Sequence, residues 1–307
     1  MTETRGGGLT SPSQQKRRVC AKMGDTAYKL DILVPTHGHM ELSIECIKTL
    51  YKNTLTPFHL IVMDDSTPDM DDGTDLTPTW MCKFKASHDN FTYIHRDTPY
   101  ERGNDFVNDS LQYMKTPYLA LVVNSITVEP EWEYAGLHIM ESNPLVGAIA
   151  FKCLNREGVI ESAGLMVTED GSSLRDIGAG QQSHRLSKVY ECSAVQWAFV
   201  LLRKAAIEGN LDASDYYGFK GWEDYDNCFT LRSKGWQMIY CGQGVGFHKT
   251  YATREDPSAE GCMKNLNNRE RFAKKWGFWP KYHKIFPYLG ELLPDVKARS
   301  FEETGVK

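Results

Sequence analysis

From Lys29 onward, short apolar runs alternate with segments whose apolar residues recur at helical spacing. "KLDILVPT" is a continuous apolar run closed by Pro35 and a polar "THGH", the pattern of a strand buried on both faces. In "MELSIECIKTLYKNT", Met40, Ile44, Ile47 and Tyr51 repeat every three or four residues, which predicts a helix. "FHLIVMDDS" predicts a second strand ending at Asp64 and Asp65, and "FTYIHRD" a third. "GNDFVNDSLQYMK" predicts a helix with Phe106, Val107, Leu111 and Met114 inward, and "PYLALVV" is the most apolar strand of the set. Alternating strands and helices imply an α/β fold with a mostly parallel central sheet flanked by helices on both faces, because parallel strands need crossover connections. Ligands in such sheets lie beyond the carboxyl ends of the strands. The polar clusters at 35–39, 64–66 and 124–125 all fall at such ends.

The pattern loosens after "PLVGAIAFKCL". A Gly-rich stretch at 171–184 reads as a mobile loop, and "AVQWAFVLLRKAAIEG" returns to strong hydrophobicity. "GFKGWEDYDNCFTLRSKGWQMIYCG" opens a helix at its acidic cluster and stops it at Lys234-Gly235, ahead of a last strand. The glycines of "CGQGVGFH" match neither a P-loop nor a complete dinucleotide fingerprint and read as a turn. Three segments follow: a flexible leader at 1–27, one domain at 28–250 and a basic, aromatic C-terminal helical extension at 251–307 that packs on the domain. Charge plus stacking in that tail suits an acidic acceptor, a membrane surface or single-stranded nucleic acid, and a packed terminal helix explains it more simply.

Composition narrows the function classes. The 307 residues are 41% hydrophobic and 24% charged, with a formal charge of -5, so no global field attracts polyanions. No apolar run is long enough for a membrane span and the first residues lack the centre of a secretion signal, which together imply a cytoplasmic protein. The eight cysteines are scattered without C-x-x-C, the distribution of reduced thiols rather than of a structural zinc site.

The ordered motifs "ILVPTHGHMELSIECIKTL", "IVMDDSTPD", "YLALVVNSITVEPEW", "NPLVGAIAFKCLNREGVIESAG", "GWEDYDNCFTLRSKGW", "GFHK" and "NNRERFAKKWG" resemble the family-two glycosyltransferases of GT-A fold, a Rossmann-like nucleotide-diphospho-sugar transferase fold. The resemblance covers Ile32 to about Gly277. It implies an inverting transfer of a sugar from a nucleoside-diphosphate sugar to an acceptor hydroxyl. The acceptor is open among a glycan, a lipid-linked glycan, a protein and a modified nucleic acid.

Residue by residue, the resemblance makes Asp224 the general base and Glu223 an orienting group for the acceptor. An acidic first turn is also what the helix dipole favours by itself. Trp222 is either an acceptor platform or core. Asp64 would contact the nucleoside, Asp65 stands at even odds with an Asp-rich turn, and Pro35 and Thr36 would line the same pocket. Arg102 would neutralise diphosphate or sit exposed in a loop, with Asn108 beside the donor; His37 and His39 read as solvated loop residues.

At "YLALVVNSI" the chain departs from the family. Asn124 and Ser125 stand where two acidic residues are usual, and Ile126 cannot substitute for a carboxylate. The two would still line the donor site, Asn124 hydrogen-bonding a ribose or phosphate, but neutral oxygens without a carboxylate bind Mg2+ or Mn2+ poorly. His248 matches the histidine that completes the family's metal site, or is a locally bonded strand-end histidine. Three accounts follow: a weakened metal site at His248, replacement of the ion by Arg102, Lys249 or Arg254, or a non-catalytic nucleotide-sugar-binding module. A nucleotidyltransferase is disfavoured, because "VPTHGHME" is not a Gly- and Arg-rich phosphate loop.

Overall fold

The computed structural model describes residues 27–65, 77–100, 102–167, 174–211, 216, 221–249, 259–277 and 283–284. Residues 1–26 of the leader, most of the Asp-rich turn, Arg254 and most of the tail lie outside the described residues.

The first half of the chain runs β1 (Leu30–Thr36), α1 (Met40–Asn53), β2 (Phe58–Asp64), α2 (Thr77–Lys85), β3 (Phe91–His95), α3 (Gly103–Ser110), β4 (Tyr118–Val122), β5 (Ile126–Val128) and α4 (Tyr134–Ser142). The second half adds β6 (Val146–Leu154), β7 (Ile160–Ser162), β8 (Leu165–Val167), β9 (Leu174–Asp176), β10 (Val189–Cys192), β11 (Phe199–Arg203), α5 (Lys204–Ile207), α6 (Glu223–Ser233), β12 (Gln237–His248) and α7 (Ala259–Trp276). The helix α2 was not anticipated. Its short span is weakly amphipathic, burying only Thr77 and Met81.

The main sheet has the order β10-β12-β6-β11-β4-β1-β2-β3. It is parallel across β4-β1-β2-β3 and again between β6 and β12, while β11 runs antiparallel between β4 and β6. The fold is therefore α/β, with a mixed sheet whose continuous parallel run, β4-β1-β2-β3, comes from the regular strand-helix alternation of the first half. Alternate residues of one strand enter opposite cores. Ile32 and Val34 join Cys46, Ile47, Leu50 and Met140 on one face; Leu33 joins Phe106, Val107, Phe229 and Phe272 on the other. Coverage of both faces explains why these strands read as continuous apolar runs.

Two stretches differ from the sequence expectation. "CGQGVGFH" is not a turn but the second half of β12, with an irregularity between Cys241 and Val245. Its glycines permit close approach: a Cβ on Gly242 would lie 1.9 Å from the Leu186 carbonyl oxygen, and one on Gly244 2.3 Å from the Trp132 carbonyl oxygen. Within the Gly-rich stretch, β9 pairs antiparallel with β8.

The chain leaves β1 towards β2 and β3 on one side and meets β4 on the other. That reversal makes the carboxyl ends of β1 and β4 a topological switch point, the place where open α/β sheets take their ligands.

Candidate active site

Thr36, Asp64 and His95 lie side by side at the ends of β1, β2 and β3, in direct register. Asp64 is almost wholly buried and its carboxylate is bonded at both oxygens. Thr36 Oγ1 donates to Oδ1 at 3.3 Å, Tyr93 Oη donates to Oδ2 at 2.5 Å, and His95 Nδ1 lies 3.0 Å from Oδ2. Asp65 follows with its backbone N–H on the Thr36 carbonyl, while its Oδ1 accepts the Tyr100 N–H at 2.7 Å. Burial raises the Asp65 carboxyl above its ordinary range, with the Tyr100 N–H, His37 and Arg96 acting against the rise. Pro35 is half-buried beside Met63. His37 is exposed but tied to the site, its Nδ1 3.0 Å from the Asp65 carbonyl oxygen. Sequence reading missed Tyr93, His95 and Tyr100. A signal existed for the first two: they alternate along β3, and one of them lies level with Asp64.

Tyr100 connects this corner to α3, its N–H on Asp65 and its hydroxyl donating to Asp109 at 2.7 Å. Arg96 is stacked 3.8 Å from the Tyr100 ring and bonded to Asp109 as well. Arg102 precedes α3 in extended conformation and is half-buried. The start of α3 meets the start of α6 directly: a Cβ on Gly103 would fall 2.9 Å from Glu223 Oε1. One turn on, Asn104 and Asn227 are bonded to each other.

The three acids of "EDYD" separate into different roles. Asp226 is buried and turned into the fold, accepting the Trp276 indole N–H at 2.6 Å and the Lys275 ammonium at 2.8 Å. Glu223 lies against Gly103, and Asp224 is only half-buried in the first turn, its Oδ1 accepting the Tyr225 N–H at 3.0 Å. Trp222 adopts a left-handed backbone (φ 79°) and is 6% exposed, packed 5.7 Å from both Tyr225 and Phe272. Of its two sequence readings, burial favours core. Asn108 donates its amide to the Leu211 carbonyl at 3.1 Å, a bond internal to the fold.

The strand end at 124–125 is also bonded inward. Asn124 donates to Ser43 Oγ at 3.0 Å, and the Ser125 carbonyl accepts the Lys249 N–H at 2.9 Å. Both residues are buried. Lys249 pairs through its side chain with Glu45. Ile126 stands opposite His248 where β5 meets β12, and the His248 ring turns to Glu161, Nδ1 to Oε2 at 2.7 Å. Cys153 donates its thiol to the same oxygen at 3.5 Å. Burial first, and the Glu161 charge second, push that thiol well above its ordinary pKa. Residues 124–126 thus do not fit a hard cation, whereas the carboxylate, imidazole and thiol at Glu161, His248 and Cys153 do offer ligand atoms, all within 4.8 Å of one another. Neither Glu161 nor Cys153 was anticipated, because only strand pairing brings them to His248.

No protein-family model and no curated protein matches the chain. Solved structures do. GalNAc-T7 with UDP, GalNAc and Mn2+ superposes with a TM-score of 0.61 at 11% identity, over 81% of this chain and 49% of that one. The mannosyltransferase PcManGT from Pyrobaculum calidifontis, in complex with GDP-Man and Mn2+, gives 0.52 at 13% identity over 74% and 59%. S. aureus TarS gives 0.52 at 14% over 80% and 42%. The chain spans about half the length of the structures it matches. It has the GT-A-type fold of these glycosyltransferases.

Proposed function

We propose that the chain is an inverting glycosyltransferase that moves a sugar from a nucleoside-diphosphate sugar to an acceptor hydroxyl. The observation that carries this reading is the half-buried Asp224 at the head of α6, whose first turn abuts the start of α3, while Tyr100 ties Asp109 of α3 to the buried Asp64–Asp65 corner. In this proposal the nucleoside lies against the ends of β1–β3, lined by Pro35, Thr36, Asp64 and Asp65. Arg102 faces the diphosphate, for which a guanidinium provides paired donors. Asp224 accepts the acceptor's proton as its oxygen attacks the anomeric carbon, and Glu223 helps orient the acceptor. One displacement inverts the centre, whereas two would retain it. Two structural neighbours carry UDP or GDP-Man, which supports the donor class.

General-base assistance is worth roughly 10²–10⁴-fold. Asp224→Asn should therefore lose transfer by that order while donor binding, measured by calorimetry, stays unchanged. Undiminished transfer by the variant would end the assignment.

A second reading, a binding module without turnover, is favoured by one observation: Asn124 and Ser125 supply no carboxylate, and the Asn124 amide is bonded to Ser43. Nucleotide-sugar binding without transfer or donor hydrolysis, with and without Mn2+, would select it.

A further inference from the structure

We propose that Glu161, His248 and Cys153 form a binding site for a borderline-soft divalent cation of the zinc class. The three residues come from adjacent strands. β6 pairs with β7 through Cys153 and Ser162, and with β12 through Cys153 and Gly246. Hydrogen-bonded strands hold their side chains in fixed relation, so the convergence of the three ligand atoms within 4.8 Å is a property of the sheet.

The chemistry of the three groups selects the ion. One carboxylate oxygen sits 2.7 Å from an imidazole nitrogen and 3.5 Å from a thiol. A cation placed among them replaces the protons these groups share, since thiolate, neutral imidazole and carboxylate are the forms that ligate. Magnesium and calcium prefer oxygen sets, whereas sulfur, nitrogen and oxygen together suit zinc. Three protein ligands leave a position for water or an incoming oxygen. His248 and Glu161 retain partial solvent access, 16% and 24% of their side chains, so an ion has a way in.

The inference stands on this cluster and does not require sugar transfer. Its test is a titration of the full chain with Co2+ in the absence of nucleotide, following the thiolate-to-cobalt charge-transfer absorption. The expected result is a saturable band and a Co2+- or Zn2+-dependent rise in melting temperature. Cys153→Ser should abolish the band, and Glu161→Gln and His248→Ala should each weaken affinity by at least about tenfold, the loss that even outer partners of a metal site cause. A band that survives Cys153→Ser, or Co2+ affinity indifferent to Glu161→Gln and His248→Ala, overturns the site. Should Cys153→Ser fail to fold, Glu161→Gln decides alone, because it keeps the thiol and the shape.

Discussion

Asn104 and Asn227 exchange two hydrogen bonds through their side-chain amides, at 2.9 and 2.7 Å, across 123 positions of the chain. Both are buried, and the pair clasps the first turn of α3 to α6 just past the first turn, which carries Asp224. Asn104→Ala removes both bonds and leaves a buried amide facing no partner, at a cost of about 1–3 kcal/mol. Chemical denaturation should register that loss, and sugar transfer should fall further than donor affinity, because the clasp positions the proposed base rather than the nucleotide. Replacing both residues by Leu should cost less than the sum of the single changes.

Asp65 predicts a pH dependence. Burial raises its folded pKa above the unfolded value, so the folded state holds the proton more firmly. Stability from this residue is therefore greatest below the ordinary carboxylate value and declines as pH rises through the raised one. Asp65→Asn keeps an acceptor for the Tyr100 N–H and removes the charge. Melting temperatures measured across pH should put the variant above the parent at neutral pH, with the gap closing in acid.

A different buried acid should matter to stability alone. Asp31, at the start of β1, sets Oδ1 2.8 Å from His59 Nδ1 and accepts at Oδ2 from the Lys115 N–H, the Thr116 N–H and the Thr116 hydroxyl. His59 in turn lies 2.8 Å from the Thr92 hydroxyl. This network occupies the amino edge of the sheet, opposite the candidate site. Asp31→Ala leaves the Lys115 and Thr116 N–H groups without their acceptor and should cost at least about 1–3 kcal/mol, while the folded fraction retains nucleotide affinity in calorimetry.

Gly242 has no room for a methyl group, since the Leu186 carbonyl would be 1.9 Å away. Gly242→Ala should push the chain at Leu186 off β12, lowering stability by about 1–3 kcal/mol or more. Gly209→Ala meets nothing within 4 Å but sits at φ 69°, where the strain on a non-glycine residue is of order 1–3 kcal/mol. Thermal unfolding of the two variants separates steric from conformational cost: only Gly242→Ala should also increase proteolysis near Leu186.

The regular first half was legible because its strands are covered on both faces and its helices on one, so burial writes itself as apolar runs and helical spacing. The acids at 64 and 65 were legible as polar interruptions at the end of such a run, whereas Asp224 stood out only through the family resemblance and an acidic helix start. The glycines at 242 and 244 were misread, since a glycine needed for a close approach of two backbones looks, in one dimension, like a glycine needed for a turn. Asp226 resembled Asp224 for a similar reason. Adjacent carboxylates carry no mark of which one turns inward to Lys275 and Trp276.

The sequence by itself determined the α/β class, the strand ends where polar side chains gather, and the absence of acidic residues at 124–126. Only the tertiary structure decided that β11 runs against its neighbours, that Trp222 belongs to the core, that Tyr93 and His95 close around Asp64, and that Glu161 and Cys153 meet His248. The physical reason is one of range. Periodicity and turn chemistry act over a few residues and survive in the linear order, whereas strand pairing joins residues far apart in the chain through backbone bonds that are the same for every side chain and leave no trace in composition or spacing.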